Sequence, residues 1–418
     1  MIEEGSKLVQ LAEEVELEVQ AVYRTIDRIS MHNQAKVLQA FHKARVSGFH
    51  LQGSTGYGYG DPGREALERV YAQAFKAEAA LVREQFVSGT QAITACLFGV
   101  LRPGNRLLAV QGAPYDTLSK VIGRGEGCSG SLRDFGVSYG QVELLADGSM
   151  DYPAITRALT DKTTAVLLQR SKGYSWGPSL GVQEMKKVIA LIKELQPETV
   201  VIVDNCYGEF VEREEPTEAG ADLAAGSLIK NPGGGLAPTG GYIVGKEEYV
   251  ERAAGHWSAP GIGSEVGAAP GGWRLFFQGL FLAPHVVAEA LKGMVFAARF
   301  FERLGLSVLP GYQEERSDIV QAIGLGSPER MIAFCRGIQS ASPVDAHVWP
   351  EPDQMPGYED RVIMAAGTFI QGASLELSAD GPMRPPYAVY LQGGLSKEYA
   401  KLALLNAARE MGFTDELG

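Results

Sequence analysis

Cysteine is scarce in this chain. Cys96, Cys128, Cys206 and Cys335 are its four, set far apart with no C-x-x-C pair. That pattern argues against a disulfide scaffold or a zinc ribbon and fits a reducing, cytoplasmic setting. Positive charge is also short: 38 Lys and Arg against 50 Asp and Glu leave a net charge of −12. Nucleic acid and anionic membrane both reward a basic face, so neither is expected as a partner. The six histidines show no metal-ligand spacing, and no metal is expected. No window offers the roughly 18 uninterrupted apolar residues of a membrane span. The acidic, amphipathic opening at residues 1–20 lacks the basic start and apolar centre of a signal peptide. Repeats, coiled coil and low-complexity tracts are absent as well.

What is abundant is glycine. It accounts for 51 of the 418 residues, about 12% where roughly 7% is usual, and it follows no collagen period. The glycines cluster at 53–63, 123–140, 233–245 and 261–279. Clustered glycine marks places where backbone turns tightly or comes close to something else, which points to a site built from loops. The remaining composition, 45% hydrophobic and 21% charged, is that of an ordinary globular chain, and the length suits two domains.

Apolar residues at helical spacing predict helix over 7–46, with further helices at 64–76, 88–101 and 182–195. Short apolar runs at 106–110, 164–169, 199–204 and 227–230 read as buried strands. Strands alternating with helices imply a mostly parallel sheet covered on both faces. The segment 240–245 follows its neighbour too closely to cross over, so it is expected to run antiparallel. After Pro284 a helical pattern at 285–305 leads to strands at 362–367, 374–378 and 387–392 and a closing helix at 396–412. The chain therefore divides into an N-terminal helical segment (1–50), a large α/β domain (51–285) and a smaller α+β domain (286–418).

Three features combine chemically. Asp204 ends the apolar run VIVD, where open α/β sheets put their ligands. Lys230 follows in GSLIKNPGGG, just before a glycine run. Upstream, Ser88, Gly89 and Thr90 stand at a helix start, where free N–H groups bind phosphate without a basic side chain. Pyridoxal 5'-phosphate needs all three parts: a lysine amine for a Schiff base, a carboxylate for the pyridinium nitrogen and a phosphate cup. Desolvation of the lysine is expected to lower its pKa and free the amine.

At these residues the sequence resembles the fold-type I pyridoxal-phosphate enzymes of the cystathionine and methionine lyase group. It is most similar to the aluminium-resistance, or methionine gamma-lyase-like, branch. VDNCY (203–207) is similar to the group's V-D-N-x-Y element, and Ser227 matches its phosphate-contacting serine. APYDT (113–117) resembles its Y-G-x-T turn, which makes Tyr115 the residue expected to stack on the cofactor and assist proton transfer. The stretches 167–182 and 274–293 resemble the aluminium-resistance branch in particular. The resemblance implies a mostly parallel seven-stranded sheet in the large domain. It also implies a Lys230 internal aldimine and β- or γ-elimination of a C–S bond in a sulfur-containing amino acid. A homodimer or homotetramer with its site at the subunit interface is implied too. Arg384, in the small domain, is the expected partner for the substrate carboxylate, and Arg170 is the second choice.

The chain also departs from the group. Where the group carries Tyr and Arg in a Y-S-R-x-x-N-P element, this chain has Gly56 and Gly58, with Tyr57, Tyr59 and Arg64 as the available substitutes. Ile229 stands where the group has Thr. These departures keep a second reading open, a non-catalytic pyridoxal-phosphate-binding protein in a metal-stress role. A distant third reads Ser227-Leu228-Ile229-Lys230 as an S-x-x-K acyl-transfer motif, which lacks its S-D-N and K-T-G partners. The glycine segment at 53–60 fails as a dinucleotide fingerprint and 240–246 fails as a P-loop. Residues 127–131 miss the second glycine of a nucleophile elbow.

Overall fold

The computed structural model describes residues 6–125, 129–355 and 358–413. Gly127 and Cys128 of the elbow-like segment, together with the two chain ends, lie outside the described residues. Seven strands form the larger sheet: β1 (Ala79–Arg83), β2 (Arg106–Ala109), β3 (Ser138–Gln141), β4 (Thr163–Gln169), β5 (Val200–Asp204), β6 (Leu223–Ser227) and β7 (Gly241–Gly245). Their order is β1-β7-β6-β5-β4-β2-β3. Strands β2 to β6 pair in parallel, and β7 runs antiparallel to both β6 and β1. Strands β5, β6 and β7 are buried at every residue. Such continuous apolar runs are what a sheet with two covered faces requires.

The second sheet is antiparallel: β8 (Ser307–Leu309), β9 (Val320–Gly324), β10 (Val362–Ala365), β11 (Ser378–Pro382) and β12 (Ala388–Gln392), in the order β10-β11-β12-β9-β8. Two expected strands move. Residues 227–230 contribute only Ser227 to β6, so Lys230 stands in the loop beyond the strand. Residues 374–378 turn, because Leu377 is left-handed (φ 67°) and Glu376 accepts the Phe369 and Ile370 amides. Strand β11 starts where that segment ends.

The expected division at 285 falls inside one continuous helix, Arg274–Arg303, which contains Pro284. Proline removes an N–H and crowds the preceding turn. Here the first long helix, Gln20–Lys43, lies alongside and supplies donors: Gln34 Nε2 to the Phe281 carbonyl (3.0 Å) and Ser30 Oγ to that of Pro284 (3.0 Å). The helix is long and apolar enough to cross a membrane, but 72% of its most apolar window is buried within the fold. It is a core helix that joins the part of the chain bearing the first sheet to the part bearing the second.

Candidate active site

A cavity of about 220 Å³ opens at the C-terminal ends of the parallel strands and is closed on its far side by β11 and β12. The first sheet supplies its floor. Asp204, the last residue of β5, is 9% exposed and accepts a hydrogen bond from the Cys206 amide (3.1 Å). Burial pushes its carboxyl above the ordinary value, against the pull of that hydrogen bond and of Lys230. Lys230 points its ammonium at the face of Tyr207, 3.5 Å from the ring centroid. Burial would lower its pKa, but Tyr207, Cys206 and Asp204 outweigh that and hold it above the usual lysine value. The sequence expectation of a depressed lysine is thus corrected: the acidic surroundings override desolvation.

The helix Gly89–Val100 begins at the cavity. Ser88 caps it, accepting from the Gln91 amide (3.2 Å), and the first-turn amides of Gly89 and Thr90 have no partner within the helix. A Cβ at Gly89 would lie 3.1 Å from Cys206 Sγ and 3.2 Å from Ser227 Cβ. Glycine is what lets this helix end come so close to β6. Ser227 is 2% exposed and packed against that end.

Tyr115 forms a side wall, its backbone amide held by Gln169 Oε1 at 2.8 Å. Burial drives its pKa far up, so the ring carries a neutral phenol. Gly173 has φ 56°, and a Cβ there would meet Tyr115 at 3.1 Å, so this turn too needs glycine to pass the ring.

Ser88, Gly89, Thr90, Tyr115, Asp204, Ser227 and Lys230 therefore line one cavity. The other expected residues stand elsewhere. Arg170 is fully buried behind the sheet, paired with Glu212 (2.8 Å) and Glu215 (3.2 Å) and bonded to Asn205 Oδ1 (2.9 Å). It is committed to the fold and not to a substrate. Arg384 lies in an adjoining outer chamber of about 590 Å³ that shares Tyr115, Tyr174 and Tyr390 with the inner cavity. It pairs there with Asp360 (2.7 Å) and is half exposed. Tyr57 and Tyr59 are 72% and 67% exposed on their loop, their rings tilted at 37° to one another and outside the cavity. Arg64 is tied to the carbonyls of Gly58 (2.6 Å) and Glu265 (3.2 Å), so it braces this loop.

The cavity also contains residues that the sequence did not single out: Cys206, Tyr207, Tyr174, Asp380, Tyr390 and Gln392. Tyr207 is a non-glycine residue at φ 72°, the kind of strain found at functional sites. The last three are legible only once β11 and β12 fold over the sheet.

The fold and this cavity define the class of the fold-type I pyridoxal-phosphate enzymes. The family model for methionine gamma-lyase matches residues 8–412, and the chain belongs to that family. The uncharacterized protein YnbB of Bacillus subtilis (strain 168) is 53% identical over 404 residues, 96% of each chain. A Listeria innocua structure bearing the provisional name cystathionine beta-lyase involved in aluminum resistance is 51% identical. It superposes with a TM-score of 0.94 over 98% of this chain and 99% of that one. A carbon-sulfur lyase involved in aluminum resistance from Clostridium novyi NT is 48% identical, with a TM-score of 0.92 over 96% and 95% of the two chains.

Proposed function

We propose that the chain is a pyridoxal-phosphate-dependent carbon–sulfur lyase acting on a sulfur-containing amino acid by β- or γ-elimination. The observation that carries this reading is the convergence of Lys230, Asp204 and the amide-lined start of helix Gly89–Val100 on one cavity. The donor set fits the cofactor. Amides of Gly89 and Thr90 with the Ser227 hydroxyl would hold its phosphate, Asp204 its ring nitrogen and Lys230 its aldehyde carbon. When bound, the cofactor supplies a conjugated ring that takes up the electron pair left by the α-proton.

The rest of the work belongs to side chains. Lys230 Nζ would carry the α-proton from the substrate carbon, a task that requires the unprotonated amine. Asp204 would keep positive charge on the ring nitrogen. Tyr115, neutral and half-buried, would stack on the ring. The cavity lies beneath β11 and β12, and the low dielectric of its buried walls strengthens each of these interactions. Arg384, in the adjoining outer chamber, is the sequence candidate left for the substrate carboxylate. Among the described residues the thiols of Cys96, Cys206 and Cys335 are free, which suits a reducing cytoplasm. The paired exposed rings of Tyr57 and Tyr59 suit a subunit interface of a homodimer or homotetramer.

Purified wild-type protein is expected to be yellow, to lose its visible band in Lys230→Ala, and to release pyruvate or 2-oxobutyrate from cystathionine, cysteine or methionine. A colourless wild type that stays colourless with added cofactor would overturn the reading. A yellow protein that releases no keto acid would favour the cofactor-binding stress protein instead, a reading that rests on the glycines standing at 56 and 58.

A further inference from the structure

The wall opposite Lys230 has a chemistry that C–S cleavage does not require. Asp380, on β11, is 8% exposed and faces the cavity. Its register partner on β12 is Tyr390, and the Tyr174 hydroxyl lies near enough to act on its carboxyl. Tyr174 lies 5.3 Å from Tyr390 and 5.5 Å from Tyr358, ring centroid to centroid, and Tyr115 bonds Tyr358 through the two hydroxyls. Four rings from four separate segments thus gather beside one buried carboxylate. Gln392 Nε2 lies at 3.4 Å, and Lys230 acts on the carboxylate as a positive charge from the cavity's other wall.

A carboxylate is costly to bury without a countercharge. Tyrosine faces, for their part, attract cations through the ring quadrupole. The α-amino group of a substrate must lose its proton before it can attack the cofactor's carbonyl carbon. A wall that holds positive charge opposes that step and suits a second charge on the same molecule. We propose that Asp380 with Tyr115, Tyr174, Tyr358 and Tyr390 forms a cation-recognition wall. The preferred substrates are then amino acids whose sulfur substituent carries a positive charge.

This inference rests on the lyase reading, and one pair of compounds separates the two. S-(2-aminoethyl)cysteine and S-propylcysteine are near isosteres that differ by an ammonium. Cleavage of the first breaks Cα–H and Cβ–S and forms S–H. With one water consumed, it yields 2-aminoethanethiol, pyruvate and ammonia. Dissociation constants come from spectral titration of the holo-protein, and pyruvate release is followed separately. The ammonium compound is expected to bind on the order of tenfold more tightly. That preference should disappear in Asp380→Asn, with the cofactor band retained as evidence of folding. Tyr390→Leu should weaken the preference and Tyr390→Phe should keep it, which serves if Asp380→Asn does not fold. Equal binding of the two compounds by wild type would overturn the proposal. So would an Asp380→Asn variant that weakens both alike, since the carboxylate would then serve the shared α-ammonium. An Asp380-dependent preference without pyruvate from either compound would keep the wall and overturn the lyase reading.

Discussion

Glu209 shows how a single buried group can set the stability of this fold. Its carboxyl accepts from the Tyr242 hydroxyl at 2.7 Å, and its other oxygen has no partner among the described residues. Burial pushes its pKa up to about 8, with Glu215 adding to the effect and Tyr242 opposing it. The native state therefore keeps a proton that the unfolded chain releases near the ordinary glutamate value. Stability falls as pH rises between those two points, by about 1.4 kcal/mol per pH unit for one proton. Glu209→Gln preserves the acceptor, supplies an N–H in place of the protonated oxygen and removes the titration. Urea unfolding at pH 5.5 and 7.5 is expected to show a smaller loss of stability in the variant than in wild type. An equal loss would mean that the proton sits elsewhere. The same buried network explains why Arg170 misleads in sequence. Its partners Glu212 and Glu215 follow 42 and 45 residues later, and no local pattern announces that they neutralise it.

Among elements, the helix Gly89–Val100 carries the sharpest requirement, because its first residue is wedged between Cys206 and Ser227. Gly89→Ala inserts a methyl group at 3.1–3.2 Å from both and pushes the phosphate-facing amides away from β6. About a tenfold rise in the cofactor dissociation constant is expected, with unchanged far-UV circular dichroism. An unaltered constant would place the phosphate elsewhere. This helix and the end of β5 were legible because cap, glycine and apolar run lie together in the chain, whereas β6 ends at the first residue of the run expected to form it. Strand β11 was not. Its sequence, Ser-Ala-Asp-Gly-Pro, combines residues depleted in strands, yet all five are buried. Pairing with β10 and β12 on either side overrides local propensity. Pro284 errs in the opposite direction: a residue that normally ends helices sits within one of 30 residues, packed beside the helix Gln20–Lys43, which donates to the Phe281 and Pro284 carbonyls. Tertiary partners decide both cases.

At the scale of the whole molecule, the cavity exists because two sheets with different tasks meet: the parallel one presents Lys230 and Asp204, and the antiparallel one presents Asp380. This division has a consequence in pH. Burial pushes the Asp380 pKa up to about 7, the Tyr174 hydrogen bond and Lys230 notwithstanding. The groups facing it titrate elsewhere. Tyr115, Tyr174, Tyr207 and Tyr358 are all raised and stay neutral, Tyr390 is pushed up to about 12, and the thiols of Cys206 and Cys335 and the amine of Lys230 are raised too. Asp380 is therefore protonated on the acid side of neutrality and ionised above it. The ratio of kcat/KM for S-(2-aminoethyl)cysteine to that for S-propylcysteine cancels titrations common to both substrates, including those of Asp204 and the α-amino group. That ratio is expected to rise between pH 6 and 8 in wild type and to stay flat in Asp380→Asn. A ratio that falls with pH, or that rises equally in the variant, would remove Asp380 from substrate recognition and leave it as a strut between the sheets.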